Sequence, residues 1–151
     1  MYKIDMVKRE AEVFFADGSS LAGSFFVSPQ SSSHSGSQLV SELLIDKNSY
    51  LPFELDGEET IILWRGSIVM VILEKNELNL QTPCLKQIIV RVCLISGGNL
   101  NGKVFTDLPE SYTRLSDFLN HNDQFFHLEV DNKDHLINSR FVKMVEPGLS
   151  A

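Results

Sequence analysis

Few of the side chains able to do chemistry in this 151-residue chain stand at useful spacings. The four histidines are His34, His121, His127 and His135. No two of them stand at the i, i+2 or i, i+4 spacing that puts two imidazoles on one metal ion, so no metal site is expected. His34 lies in a Ser-rich stretch and reads as a solvated side chain. His121, followed by Asn122 and Asp123, reads as the end of a helix and its turn. His127 alternates with Phe126 and Leu128, which points it out of a sheet. A site joining His121, His127 and His135 with Asp123 or Asp134 is conceivable on residue type, against the spacing. Cys84 and Cys93 are nine apart and read as two reduced thiols, Cys93 within a strand. There is no Gly-x-Ser-x-Gly elbow, no histidine neighbours either cysteine, and Gly97-Gly98 reads as a hairpin turn rather than a phosphate loop. Glu54, Asp56, Glu58 and Glu59 read as the acidic edge of a solvated hairpin rather than as paired catalytic carboxylates. Catalysis and cofactors are therefore not expected.

Binding has better candidates. Trp64, Arg65 and Gly66 fall together at the tip of a hairpin, and Arg140 ends a similar run later in the chain. For Trp64 the first reading is packing, in the core or between two halves of the chain. The second is an aromatic-plus-arginine contact for a base or a protein partner. The stretch 28–37, Ser-Pro-Gln-Ser-Ser-Ser-His-Ser-Gly-Ser, reads as a mobile connection, with a ligand lid as the alternative.

The elements that would hold these residues come from self-similarity within the chain. At an offset of 79, Val13, Gly18, Leu21 and Gly23 meet Val92, Gly97, Leu100 and Gly102. At an offset of 75, the run from Tyr50 to Asp56 meets Phe125 to Asp131, and Ile61 to Arg65 meets Leu136 to Arg140. The blocks keep their order, which points to an internal duplication. Each copy reads as β-β-α-β-β-β. The expected strands are 10–16, 20–28, 50–55, 60–65 and 67–73, then 88–95, 100–106, 125–130, 135–139 and 141–146. The apolar stripes Leu39, Leu43, Leu44 and Leu115, Phe118, Leu119 place helices at 38–46 and 112–120, capped by Ser37 and Ser111. Asp17-Gly18 and Gly97-Gly98 suit tight hairpins, and Asp56-Gly57 and Asp131-Asn132 suit the later turns. Gly23 and Gly102, inside strands, mark sharp bends. Ile68 to Leu73 shows no alternation and should be covered on both faces. The expected fold class is mainly β, with two tandem bent-sheet small barrels: residues 1–75, a linker 76–87, and residues 88–151. Units this small bury limited apolar area, so the two should share an interface.

The pattern of apolar strand, Gly, then Leu-x-Gly in Val13 to Gly23, and again in Val92 to Gly102, resembles the first signature of the Sm-like small β-barrels. That family includes the bacterial RNA chaperone of the superfamily. Leu63-Trp64-Arg65-Gly66-Ser67-Ile68-Val69-Met70-Val71 resembles its second signature; Asn138 to Val145 keeps an arginine and lacks the glycine. The layout is also similar to duplicated bacterial domains of unknown function. The resemblance implies a barrel fold and carries Arg65-Gly66 over as an RNA contact. The helix between strands two and three replaces the region in which the family holds its base-binding loop.

Bulk composition bounds the function. Hydrophobic residues make up 43% and charged residues 22%, as in an ordinary globular domain. The net charge is −7, and neither half is basic: residues 1–75 carry 6 Lys and Arg against 11 Asp and Glu, and residues 76–151 carry 7 against 9. Nucleic acid is thus a less favoured partner than protein. No run approaches the roughly 20 apolar residues of a membrane span. The N-terminus lacks the apolar core of a secretory signal, so a cytoplasmic location is expected. The expected function is a non-enzymatic module that binds a protein partner or assembles with itself. The alternatives are single-stranded RNA binding through Trp64, Arg65 and Arg140, and a small-molecule sensor with a pocket between the halves.

Overall fold

The computed structural model describes residues 6–31, 36–45, 48–56, 59–75, 77, 86–106, 112–121 and 124–148. The protein is mainly β. In chain order the elements are β1 (Val7–Phe15), β2 (Ser20–Val27), α1 (Val40–Ile45), β3 (Tyr50–Leu55), β4 (Thr60–Trp64) and β5 (Ile68–Leu73). Then follow β6 (Lys86–Leu94), β7 (Asn99–Thr106), α2 (Tyr112–His121), β8 (Phe125–Val130), β9 (Lys133–Asn138) and β10 (Val142–Pro147). A single 3-10 turn joins β4 to β5 (Arg65–Ser67), and another joins β9 to β10 (Ser139–Phe141).

All ten strands join one open sheet, in the order β10-β6-β7-β8-β9-β5-β1-β2-β3-β4. Every registered pairing is antiparallel. Within residues 7–73 the order is β5-β1-β2-β3-β4; within 86–147 it is β10-β6-β7-β8-β9, so in both the fifth strand lies beside the first. The two halves meet where β5 pairs β9, with Met70 opposite Ile137, Val71 opposite Leu136 and Ile72 opposite His135.

Local chemistry explains the strand layout. Gly18 and Gly97 turn their hairpins at φ +88° and +102°, a region open to glycine and costly for other residues. Asp17 Oδ1 accepts hydrogen bonds from the Ser19 backbone N–H (2.9 Å) and hydroxyl (2.6 Å), which fixes the first of these turns. The β8–β9 turn runs through Asp131 and Asn132 at φ 51° and 65°, the left-handed pair of a tight hairpin. Gly23 and Gly102 serve a different need. A Cβ at Gly23 would lie 2.1 Å from the Glu54 carbonyl oxygen, and one at Gly102 would lie 2.4 Å from that of Glu129. In each half the third strand crosses the second at a distance that only a bare Cα permits.

Helix α1 starts two residues later than the apolar stripe suggests, and Ser37 is not its cap. The Ser37 hydroxyl accepts a hydrogen bond from Arg9 Nη2. Carboxylates take the free N–H groups instead: Glu42 that of Leu39 (3.0 Å), and Glu77 those of Val40 (2.6 Å) and Ser41 (3.2 Å). The feet of the Ser-rich connection are tied, the Gln38 N–H donating to the Ser28 carbonyl at 2.9 Å and the Ser28 N–H to Gln38 Oε1 at 3.0 Å. His34, Gly57, Glu58, Cys84, Ser111 and Asp123 lie outside the described residues.

The core is shared between the halves. One buried cluster gathers Val13, Phe25, Val27, Val40, Leu44, Phe53 and Val71 around residues of α1 and β1 to β5, and takes in Phe125 and Leu136 from the second half. The other gathers Val90, Val92, Val104, Phe126, Leu128 and Ile137, and takes in Val69 and Met70 from the first half. β5 can serve both because its two faces are apolar and nearly all its residues are buried, as its lack of alternation implies. No helix among the described residues is long and apolar enough to cross a membrane.

Candidate functional site

Trp64 closes β4, the outermost strand at one end of the sheet, and leads into the 3-10 turn. It is 51% exposed, so about half of the residue is packed and half is open. The indole lies over Gly66, where a Cβ would come within 2.7 Å of Trp64 Cζ2. Gly66 thus serves as the floor on which the ring rests. The Ser67 hydroxyl donates to the Trp64 carbonyl at 2.7 Å, which holds the turn closed.

Arg65 points elsewhere. Its Nη1 donates to the Leu44 carbonyl at 3.3 Å, one of the carbonyls left open at the C-terminal end of α1. Its own N–H donates to the Ser49 carbonyl at 2.7 Å. The arginine pins the turn to the helix and to the start of β3. Arg140 is exposed, and its N–H donates to Asn138 Oδ1 at 3.0 Å. Matching Arg65 with Arg140 on sequence is one residue out of step with the turns: Arg65 is the first residue of its turn, Arg140 the second of its own. Nor do the four candidates lie side by side along the sheet. Between β4 and β9, which lead into the two turns, stand β3, β2, β1 and β5.

What surrounds Trp64 is a strip that sequence reasoning missed. On β3 and β4, Tyr50 pairs with Trp64 and Pro52 with Ile62, all on one face. Tyr50 is 65% exposed and Ile62 62%. The alternate residues Leu51, Phe53 and Leu63 are buried. Both faces of this edge hairpin are therefore apolar, and one is bare. The signal was the unbroken run Ile61-Ile62-Leu63-Trp64, which lacks the alternation of a half-solvated strand. At the opposite end of the sheet, β10 carries exposed Met144, and β6 beside it exposed Ile89. Lys8 Nζ and Glu54 Oε1 form a surface ion pair at 3.0 Å, giving one of the acidic hairpin residues an ordinary solvated partner.

A cavity of about 350 Å³ opens between the halves. Phe14, Val69 and Met70 line it from one side, and Leu94, Ile95 and Phe141 from the other. Among the described residues no ionisable side chain lines it, and most of its walls are apolar.

The histidines are arranged otherwise than their positions in the chain suggest. His127 does not face solvent: its Nε2 lies 2.7 Å from Asp134 Oδ1, with the Asp134 side chain 3% exposed. His135, next in the chain to Asp134, is buried. Pairing of β8 with β9 sets His127 opposite Leu136, between the residues that precede and follow that leucine. No protein-family model, characterised protein or solved structure matches the chain.

Proposed function

We propose that the chain is a non-enzymatic module, built from a duplicated unit, that assembles with copies of itself through the two free edges of its sheet, β4 and β10. One observation carries this reading. The seam inside the chain pairs the fifth strand of the first half with the fourth strand of the second. The free edges are the fourth strand of the first half and the fifth strand of the second. A second copy therefore offers each edge the kind of partner already used within the chain.

The register follows from the shared layout. Met144 and Val145 hold in β10 the places that Met70 and Val71 hold in β5, opposite Cys93 and Val92 as those are opposite Phe14 and Val13. Trp64 and Asn138 both precede the 3-10 turn, which puts Leu63 and Ile62 in the places of Ile137 and Leu136. A seam between copies then sets Met144 against Leu63 and Val145 against Ile62. Edge strands leave a row of N–H and C=O groups to be paired. The exposed Ile62, Trp64 and Met144 supply the apolar area that a fresh seam would cover. The two edges differ, so the contact is head-to-tail and closes into a ring or continues as a filament.

Sedimentation of the full chain across a concentration series tests this. The expected result is a species heavier than the 17.0 kDa chain, reduced to monomer by Ile62→Lys or by Met144→Lys with an unchanged circular dichroism spectrum. A wild-type chain that stays monomeric at the highest accessible concentration, or assemblies indifferent to both substitutions, would overturn the reading.

A further inference from the structure

The seam between β5 and β9 ends in a cluster of ionisable groups that edge-to-edge assembly does not use. Asp134 is 2% exposed. Oδ2 accepts the backbone N–H of Glu77 at 2.6 Å, and Oδ1 lies 2.7 Å from His127 Nε2. Glu77 in turn holds the N-terminal end of α1 with its carboxylate. One residue between the halves thus ties the helix of the first to the strand of the second. His135 stands opposite Ile72 in the seam itself. Its Nδ1 lies 3.1 Å from the Lys133 carbonyl oxygen. A carbonyl only accepts, so Nδ1 carries the proton and the neutral ring keeps Nε2 bare.

A second proton on His135 would place a full charge in the joint. The groups around it come from each neighbouring element. Its own strand contributes Asp134 and Lys133, the β8–β9 turn Asp131, and β8 contributes His127. The segment between the halves contributes Glu77, bonded to Asp134. β5 offers the apolar Ile72 directly opposite, with Glu74 and Lys75 past its end.

We propose that the His127–Asp134–His135 cluster makes the joint between the two halves acid-sensitive, uptake of a proton by His135 parting β9 from β5. Burial pushes the His135 imidazole below its ordinary value of 6.5, with the neighbouring His127 adding to it. In that window the unfolded chain binds the proton and the folded chain does not. The stability held above the ordinary histidine value is therefore lost as pH falls through the folded one. Glu77 acts in the opposite sense. Burial raises it above 4.5, so its contribution is lost as pH rises through its folded value, and it cannot supply a loss in acid.

Hydrogen exchange of the full chain from about pH 8 to about pH 5, corrected for intrinsic rates, tests this. The expected result is loss of amide protection in β5 and β9 while β1, β2, β6 and β7 keep theirs. That loss disappears in His135→Gln and persists in Glu77→Gln. Protection of β5 and β9 that holds throughout, or is lost equally in His135→Gln, or is rescued by Glu77→Gln, would overturn the proposal. Should His135→Gln fail to fold, an NMR titration of the wild-type chain decides. The His135 ring signals must move together with the β9 amides, and an uncoupled titration overturns the proposal. Assembly is read separately, from protection at β4 and β10, so neither idea falls with the other.

Discussion

Asn138 shows how much one buried amide can hold. It is fully buried. Its Nδ2 donates to the Ile68 carbonyl at 2.8 Å across the seam, and its Oδ1 accepts the Arg140 N–H at 3.0 Å in the turn. Asn138→Ala strands a buried carbonyl and removes the acceptor that shapes the turn. The expected loss is about 1–3 kcal/mol, read from the midpoint of urea unfolding. Asn138→Asp should lose as much or more, since it keeps the acceptor but buries a charge against a carbonyl. None of this was legible in the chain, where Asn138 falls inside the expected strand 135–139. Its partner Ile68 lies 70 residues away. A structural role of Arg65 was hidden for a similar reason. Its residue type fits a binding role, and only the packing of α1 beside the turn shows that its Nη1 also donates to a helix carbonyl.

The strands and helices themselves were legible, because each carries its own local signature. Alternation, turn glycines and the missing alternation of Ile68 to Leu73 all act over a few residues, and the ten strands fall close to where those signals put them. A strand glycine and a turn glycine test the point. Gly23→Ala pushes a Cβ into the Glu54 backbone, which cannot move without breaking the β2–β3 pairing. The expected cost is about 1–3 kcal/mol, or more if the strands separate. Gly98→Ala, whose nearest atom would be Leu94 Cδ1 at 3.9 Å, should stay within about 0.5 kcal/mol. Thermal unfolding of the two variants side by side checks the contrast. The start of α1 was harder to place, because its N–H partners include Glu77, 37 residues from Val40. Capping of that kind leaves no mark near the helix.

At the scale of the whole molecule, the expected sharing of an interface understated the outcome. The halves contribute strands to one sheet and side chains to each other's cores. What the sequence could not show was which strands would meet, since β9 carries only Leu136 and Ile137 as apolar residues and nothing local marks β5 as its partner. The joined core has a practical consequence for the polypeptide bond that links the halves. Continuity of the chain past Glu77 contributes proximity, while cohesion comes from β5 lying against β9 and from Phe125, Leu136, Val69 and Met70 buried across the divide. Produced as two fragments in one cell, residues 1–77 and 86–151 should find each other and co-purify in equal amounts on a tag carried by either one. Separate elution would show that the covalent tether is indispensable. If they do reassemble, the protein is a natural candidate for fragment complementation, with the break placed between its halves.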